Sequence, residues 1–376
     1  MHGLAATLAA LAGASLAGWV GVLAGTARAW DLQPVGEDEP GPPEPASWPS
    51  VACLVPARNE AGVLPETLPT LLAQDCPGRW RIVLVDDRSA DGTGELARKL
   101  GAGRLRVVAG AELPADWVGK VWALEQAAAV AAEDEPDYLL LTDADIRHAP
   151  SSLRRLVAES EAGGLALVSR MARLRCHSLP ERLLVPPYLL FFNLLYPMRR
   201  VNDPRRRTAA AAGGCVLLRR SALERIGGFV AIRDRVIDDI GLARRVKALG
   251  VPIRLAVSRR DVESVRPHGL AGIWRMVRRT AFTQLRRSWT LLALTLALLA
   301  LLFAGPPALT VAAALAGDPP ALALAAAAWA AATLVSLPAV RLFCLPPGWA
   351  LALPLAGVLY GAMTLDSALR DRRGTW

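Results

Sequence analysis

Apolar residues along this chain follow different rhythms in different segments, and each rhythm predicts a different kind of structure. Leu4 to Ala27 is an uncharged, mostly apolar run of about 24 residues. At about 1.5 Å per helical residue it can cross a hydrocarbon core of roughly 30 Å. From Val51 onward, short β-branched or Leu-rich runs alternate with longer helix-like stretches. Strands are expected near 51–55, 81–86, 104–109 and 137–142, with helices between them. That alternation predicts a doubly wound α/β sheet. Three further apolar stretches, Thr290 to Ala316, Ala321 to Leu337 and Trp349 to Leu369, are each long enough to span a bilayer, the second only just.

The segments between these runs complete the domain plan. Residues 1–28 are expected to be an N-terminal transmembrane anchor, and residues 29–50 a linker. Within that linker, Gly36 to Pro49 is acidic and proline-rich, unable to form a helix or a core, and reads as a tether. The Ala27-Arg28-Ala29 sequence also resembles a signal-peptidase site. The run is long for a signal peptide, however, and its first basic residue, Arg28, follows it, which favours an uncleaved anchor with its N-terminus outside. Residues 51–269 make the α/β domain, and 270–289 an amphipathic helix whose Arg275, Arg278, Arg279 and Arg286 lie mainly opposite Leu270, Ile273, Trp274, Val277, Ala281 and Leu285. Such a helix fits the headgroup layer of a membrane. Residues 290–369 are expected to hold two to three spans, followed by a basic tail at 370–376. Three full spans would put Arg370-Asp371-Arg372-Arg373 outside, against the positive-inside tendency, while the prolines at 306, 307, 338, 346, 347 and 354 allow a broken or re-entrant segment. Inside the α/β domain, Arg182 to Arg200 is an apolar, proline-containing stretch flanked by arginines. It reads as a segment dipping into the bilayer surface rather than as a core helix.

Composition agrees with a membrane protein. The 376 residues are 53% hydrophobic, and 43 Lys and Arg against 34 Asp and Glu give a net charge of +9. Basic residues with stacking aromatics, as a nucleic-acid surface would need, are not spread over the domain, so no nucleic-acid partner is expected. Five cysteines and four histidines show no spacing suited to zinc and fit a reduced cytosolic domain.

Chemistry concentrates where the predicted strands end, the place where open α/β sheets bind ligands. The first strand ends in VPARNE, with Pro56, Ala57 and Glu60, and the second in VDDRSADGT, with Asp86 and Asp87. Carboxylates there can accept hydrogen bonds from a base or a ribose, or cap the next helix. The strand 137–142 delivers Asp143 and Asp145. On an extended chain these point the same way, about 7 Å apart, and suit one hard divalent cation such as Mg2+ or Mn2+. Gly213 and Gly214 allow close backbone approach to a ligand. Asp238 and Asp239 open a helix, where an acidic pair either compensates the helix dipole or supplies a general base.

Taken in order, these elements resemble a family 2 glycosyltransferase of the GT-A fold, and within that family the chain is similar to the bacterial hopanoid-biosynthesis-associated glycosyltransferases. The resemblance covers about Val51 to Trp289. It implies a nucleotide-sugar donor held by Glu60, Asp86, Asp87 and Lys120 of GKVWAL, a divalent cation on Asp143 and Asp145, and Asp239 as the base of a single inverting transfer. It also implies a lipid acceptor, with the catalytic domain on the cytoplasmic side of a bacterial inner membrane. Processive members carry QxxRW, whereas Gln284-Leu285-Arg286-Arg287 is followed here by Ser288 and then Trp289. The offset suits transfer of one sugar, with Gln284 and Arg287 as acceptor-side residues. Polyprenyl phosphate or carotenoid acceptors fit the same motifs, and a nucleotidyltransferase or a non-catalytic membrane scaffold are the competing classes. A transporter fits poorly because Arg341 and Asp366 are almost the only ionisable groups in the spans.

Overall fold

The computed structural model describes residues 2–25, 27–35, 41–101, 103–259 and 261–373. Part of the proline-rich tether, residues 36–40, and the last residues of the basic tail, 374–376, lie outside the described residues. The chain divides into two compact units, one of residues 33–175 and 198–266, the other of residues 1–32, 176–197 and 267–376.

The first unit is built on a mixed sheet. Its strands are β1 (Pro34–Val35), β2 (Val51–Ala57), β3 (Trp80–Asp86), β4 (Leu105–Ala109), β5 (Tyr138–Thr142), β7 (Leu167–Met171), β8 (Cys215–Arg219) and β9 (Ile253–Ser258), while β6 (Ile146–His148) and β10 (Val262–Ser264) form a separate antiparallel ribbon. The spatial order is β1-β9-β7-β8-β5-β2-β3-β4. Strand β8 runs antiparallel to both β5 and β7, and the remaining neighbours in this sheet are parallel. Central strands buried on both faces need apolar residues at every position. Val51 to Val55 and Ile82 to Val85 are indeed buried throughout. The core joins Val55, Leu64, Leu68, Leu84, Leu140, Leu153, Leu156 and Leu217.

All four strands expected between 51 and 142 are present. Described parts of the 29–50 linker are more ordered than its composition suggested. Pro34 and Val35 pair with Val257 and Ser258 as an edge strand, a place where a missing proline N–H costs little. Further on, Glu44 forms an ion pair with Arg154, and Trp48 packs against the core.

The second unit is helical, and four of its helices are long and apolar enough to cross a membrane: Gly3–Ala24, Trp289–Ala316, Pro319–Leu342 and Pro347–Arg372. The second of these relaxes into a π-helical turn at Ala300–Ala304, just before Pro306 and Pro307. Pro306 has no N–H to give the carbonyl of Leu302, and the Trp19 indole donates to that oxygen instead, at 2.7 Å. The apolar insert, Leu179–Leu195, belongs to this unit and not to the sheet's core. Its Leu190 packs with Trp19, Phe303, Val335 and Leu353. The helix Gly269–Gln284 buries Ile273, Val277 and Phe282. Arg275 and Arg279 are exposed as expected, but Arg278 turns inward and forms an ion pair with Asp366.

The last apolar stretch packs along only the first half of Trp289–Ala316. Its helix, Leu353–Arg373, starts beside Phe303, half-way along Trp289–Ala316, where a Cβ on Gly357 would collide with the phenyl ring. It then descends past Leu296 and Leu299 at Gly361, and past Phe282 at Ser367. It finishes with Asp371 3.3 Å from Arg287, just ahead of Trp289. The preceding turn leans on the middle of Pro319–Leu342, with the Trp329 indole donating to Leu351 O and the Ser336 hydroxyl to Ala350 O. The segment after Leu342 therefore turns back along Pro319–Leu342 before the last helix runs toward Arg287.

Candidate active site

The sheet's register brings the chemistry to one edge. Strands β2, β3 and β5 are parallel and end at Ala57, Asp86 and Thr142, while antiparallel β8 begins opposite Thr142 at Cys215. The loops after β2 and β3 are tied to each other. Asn59 N donates to the Ser89 hydroxyl at 2.9 Å, Glu60 N to the Thr93 hydroxyl at 2.8 Å, and Ala61 N to the Asp91 carboxylate at 3.0 Å. Asn59 and Arg88 adopt left-handed backbone, φ 55° and 53°, which non-glycine residues hold only when their surroundings fix them. Asp87 is buried at 7% exposure, 3.5 Å from the Arg58 guanidinium, and its amide donates to Ala57 O. Asp86 faces Gly94 and accepts from Ser89 N, so part of its capacity is spent on the loop.

Two acidic clusters lie at this edge. In the first, Lys120 Nζ stands 2.6 Å from Asp143 and 3.8 Å from Asp238. Burial works against the ammonium, but Asp143 and Asp238 outweigh it and hold the Lys120 pKa above the ordinary lysine value. Burial likewise keeps the Asp143 carboxyl above its ordinary range despite Lys120. Asp239 accepts from Gly213 N at 2.8 Å and from its own helix at Ile240 N, 2.7 Å. Burial, and then the charge of Asp238, push its pKa up to about 7. Pro56, Lys120, Asp143, Gly213, Asp238 and Asp239 close around a cavity of about 10 Å3, room for about one water.

The second cluster joins Glu60, Asp145 and Arg266. Arg266 forms ion pairs with both carboxylates, and the Ser264 hydroxyl donates to Asp145 at 3.1 Å. Burial raises the Glu60 pKa against the pull of Arg266, with Asp145 and Asp143 adding to the rise. Asp143 and Asp145 do not sit on extended chain. β5 ends at Thr142, and a turn closed by Ile146 N donating to Asp143 O, 3.2 Å, leads directly into β6. The two carboxylates thus take different partners, Lys120 and Arg266, rather than projecting side by side from a strand. Beneath the turn, the Thr67 hydroxyl donates to Ala144 O at 2.7 Å, and Thr142 Oγ1 lies 2.9 Å from His148 Nε2. Burial lowers the His148 pKa to about 4, so the ring is neutral at pH 7 and serves as packed support.

Residues 52–227 match the family Glycosyl transferase family 2. That match covers just under half of the chain, most of it within the sheet unit. Over 120 residues, 31% of this chain, it is 32% identical to a 4,4'-diaponeurosporenoate glycosyltransferase of Staphylococcus haemolyticus, a match that spans 30% of that protein's length. A mannosyltransferase from Pyrobaculum calidifontis, solved in complex with GDP-Man and Mn2+, superposes with a TM-score of 0.57 at 24% identity over 98% of this chain and 100% of its own. The GT-A-like fold expected from the sequence is therefore present, flanked by apolar helices.

Within the sheet unit, Pro56, Ala57, Glu60, Asp86, Asp87, Lys120, Asp143, Asp145, Asp238 and Asp239 all fall at the same sheet edge. Gly213 and Gly214 do so too, but their close approaches are to the protein itself. A Cβ on Gly213 would meet Lys120 and Asp239, one on Gly214 would meet Ile146, and Gly214 O accepts from Thr142. Gln284 and Arg287 belong to the helical unit, where Gln284 accepts from the Tyr196 hydroxyl at 2.6 Å and Arg287 pairs with Asp371. All four of these residues, expected on the acceptor side, make contacts within the protein itself. Arg266 and Thr93 were not legible as site residues. Arg266 stands 121 positions after Asp145 and enters only because β10 pairs with β6 and carries the chain back to the turn.

Proposed function

We propose that this chain is a membrane-bound inverting glycosyltransferase that moves one sugar from a nucleotide-sugar donor to a lipid acceptor. The observation that carries the reading is the placement of Asp239: a carboxyl at the sheet edge, held by two backbone amides within the Lys120 cluster, with its pKa raised by burial and by Asp238. A general base works best when its pKa lies near the working pH. In the transfer, the acceptor hydroxyl oxygen bonds to the anomeric carbon as the bond from that carbon to the diphosphate oxygen breaks. Asp239 takes the hydroxyl proton, and the nucleoside diphosphate leaves. Glu60 and Asp87 are the nucleoside-side carboxylates, with Asp86 beside them, and Lys120 is the cation nearest the departing phosphates.

Asp143 and Asp145 would hold a divalent cation. No cluster of three or more His, Cys, Asp or Glu suited to a metal occurs among the described residues. The donor set nonetheless fits Mg2+ or Mn2+, which are commonly bound by one or two carboxylates with substrate phosphates completing the shell. Bound there, the ion would neutralise negative charge on the diphosphate. Lys120 and Arg266 are the cations paired with these two carboxylates.

A lipid acceptor is supported by the apolar helical unit and by the similarity to a 4,4'-diaponeurosporenoate glycosyltransferase. The bacterial hopanoid-type lipids are the acceptor class that the sequence resemblance favours. A polyprenyl phosphate is the second reading, favoured by an arginine-lined pocket that adjoins the acidic cluster. Membranes containing the protein, incubated with a panel of labelled nucleotide sugars, should yield one labelled lipid identifiable by mass spectrometry. Label remaining wholly water-soluble with every donor would overturn the reading.

We also infer that the glycosyl transferase domain faces the cytoplasm of a bacterial inner membrane. Support comes from Arg28 after the first span, and from the return of the last helix, which keeps Arg370 on the side where Trp289–Ala316 begins. A reporter fused after Trp376 should then report the same side as one inserted after Trp48. Opposite sides would contradict the returning helix.

A further inference from the structure

One cavity of the sheet unit lies outside the acidic clusters. Its volume is about 700 Å3, and Asp116, Trp117, Val118, Arg233, Arg235 and Arg245 line it together with Val230, Ala231 and Asp234. The cavity is built by two loops clasped by a main-chain bond, Val118 N to Arg233 O at 2.8 Å. Both loops lead straight into the acidic cluster, one through Gly119 to Lys120, the other through Val236 and Ile237 to Asp238.

Its charge is unevenly satisfied. Arg235 is 3.4 Å from Asp234, whereas Arg233 and Arg245 have no carboxylate partner among the described residues, and Asp116 is the one remaining acid of the lining. Guanidinium groups stay charged at any physiological pH, so two of them in one concavity favour an anion. Planar N–H forks match phosphate oxygens, and a phosphate monoester carries close to two negative charges at pH 7. The cavity lies within the range of roughly 300–1,000 Å3 typical of organic ligands and far exceeds a bare phosphate. Trp117, Val230 and Ala231 offer apolar wall for an organic body.

We propose that this pocket binds a phosphate monoester through Arg233 and Arg245, presenting the attached group toward the neighbouring Lys120 and Asp238 cluster. The assignment of that group to the acceptor rests on the transferase reading above; the binding itself does not. The phosphate belongs to a lipid headgroup or to a soluble ester, and the two sources separate experimentally.

The test is calorimetry on the full chain in phosphatidylcholine nanodiscs, with phenyl phosphate as probe and phenol as its neutral counterpart. Phenyl phosphate should bind saturably and phenol should not. Arg233→Gln/Arg245→Gln should weaken binding at least about tenfold, as loss of charge-assisted hydrogen bonds requires. Arg244→Gln, an exposed neighbour outside the lining, should leave binding unchanged. Equal binding of phenol, an unaffected double variant, or an equal loss in Arg244→Gln would each overturn the site. If phosphatidic acid in the discs weakens phenyl phosphate binding and phosphatidylserine does not, the occupant is a lipid headgroup. If neither does, it is a soluble ester. A protein that binds phenyl phosphate yet transfers no sugar keeps this site and loses the proposed function; one that transfers sugar without binding the probe loses only the site.

Discussion

Asp239 and Glu181 are both buried or half-buried carboxyls in this protein, and their surroundings drive them in opposite directions. Asp239, in the sheet unit, sits beside Asp238 and is pushed up to about 7, burial being the larger cause. Glu181, in the helical unit, is 2% exposed, and burial would raise it too. Instead it accepts from the backbone amides of His177, Ser178, His268 and Gly269, which hold its pKa down at about 2. Four amide donors stabilise the ionised form more than burial penalises it, whereas two donors against a neighbouring negative charge do not. One carboxyl is left poised to exchange a proton near neutrality, while the other is a permanent anion pinning the start of the Leu179–Leu195 helix to the start of Gly269–Gln284.

The contrast breaks most visibly at Asp239. Asp239→Asn should retain nucleoside diphosphate binding while turnover falls by at least about a hundredfold, the usual cost of losing a positioned base. Asp238→Asn should be milder. The raised pKa also means that ionised Asp239 costs stability: its contribution is fully favourable below the unfolded carboxyl value and is lost as pH rises through about 7. At pH 8 the Asn variant should therefore melt no lower than wild type, and a melting temperature well below it would recast Asp239 as a structural residue.

Next in size is the metal-side carboxylate. Asp145→Asn should abolish Mn2+-dependent binding of a nucleoside diphosphate in calorimetry and leave the fold intact, because an amide oxygen can still accept from Ser264 and only the ion pair with the partly exposed Arg266 is lost. Undiminished binding would remove Asp145 from the metal site.

A smaller effect, on stability alone, is expected at Glu181. Its lowered pKa contributes stability that is fully present above the unfolded value and is lost as pH falls from about 4.5 toward 2, on the order of 3 kcal/mol in all. Glu181→Gln should lower the melting temperature at pH 7 and flatten the acid limb of the stability profile. An unchanged acid limb would show that the four amides are satisfied in another way.

Much of the sheet was readable because its strands are buried on both faces. A continuous apolar run as short as Ile82 to Val85 fits a doubly covered strand, and carboxylates immediately after such runs are placed at the sheet's edge by the topology itself. What escaped depends on pairings distant in sequence. The antiparallel β8 brings Gly213 against Asp239, and the β6–β10 ribbon brings Arg266 to Glu60 and Asp145; neither register leaves a local signal. The spacing of Asp143 and Asp145 suggested a strand, but the chain turns there to reach β6. In the helical unit, hydropathy identified the apolar stretch after Trp349 but not its packing, which follows from contacts of Gly357 with Phe303 and of Asp371 with Arg287.

The central claim, that Asp239 is the base because its pKa lies near 7, is tested most directly by the pH dependence of sugar transfer at saturating donor. Turnover should rise with pH and level off with an inflection near about 7, and the residual activity of Asp239→Asn should lack that inflection. A wild-type rate that is flat from about pH 5.5 to about pH 9, or an unchanged inflection in the Asn variant, would contradict it.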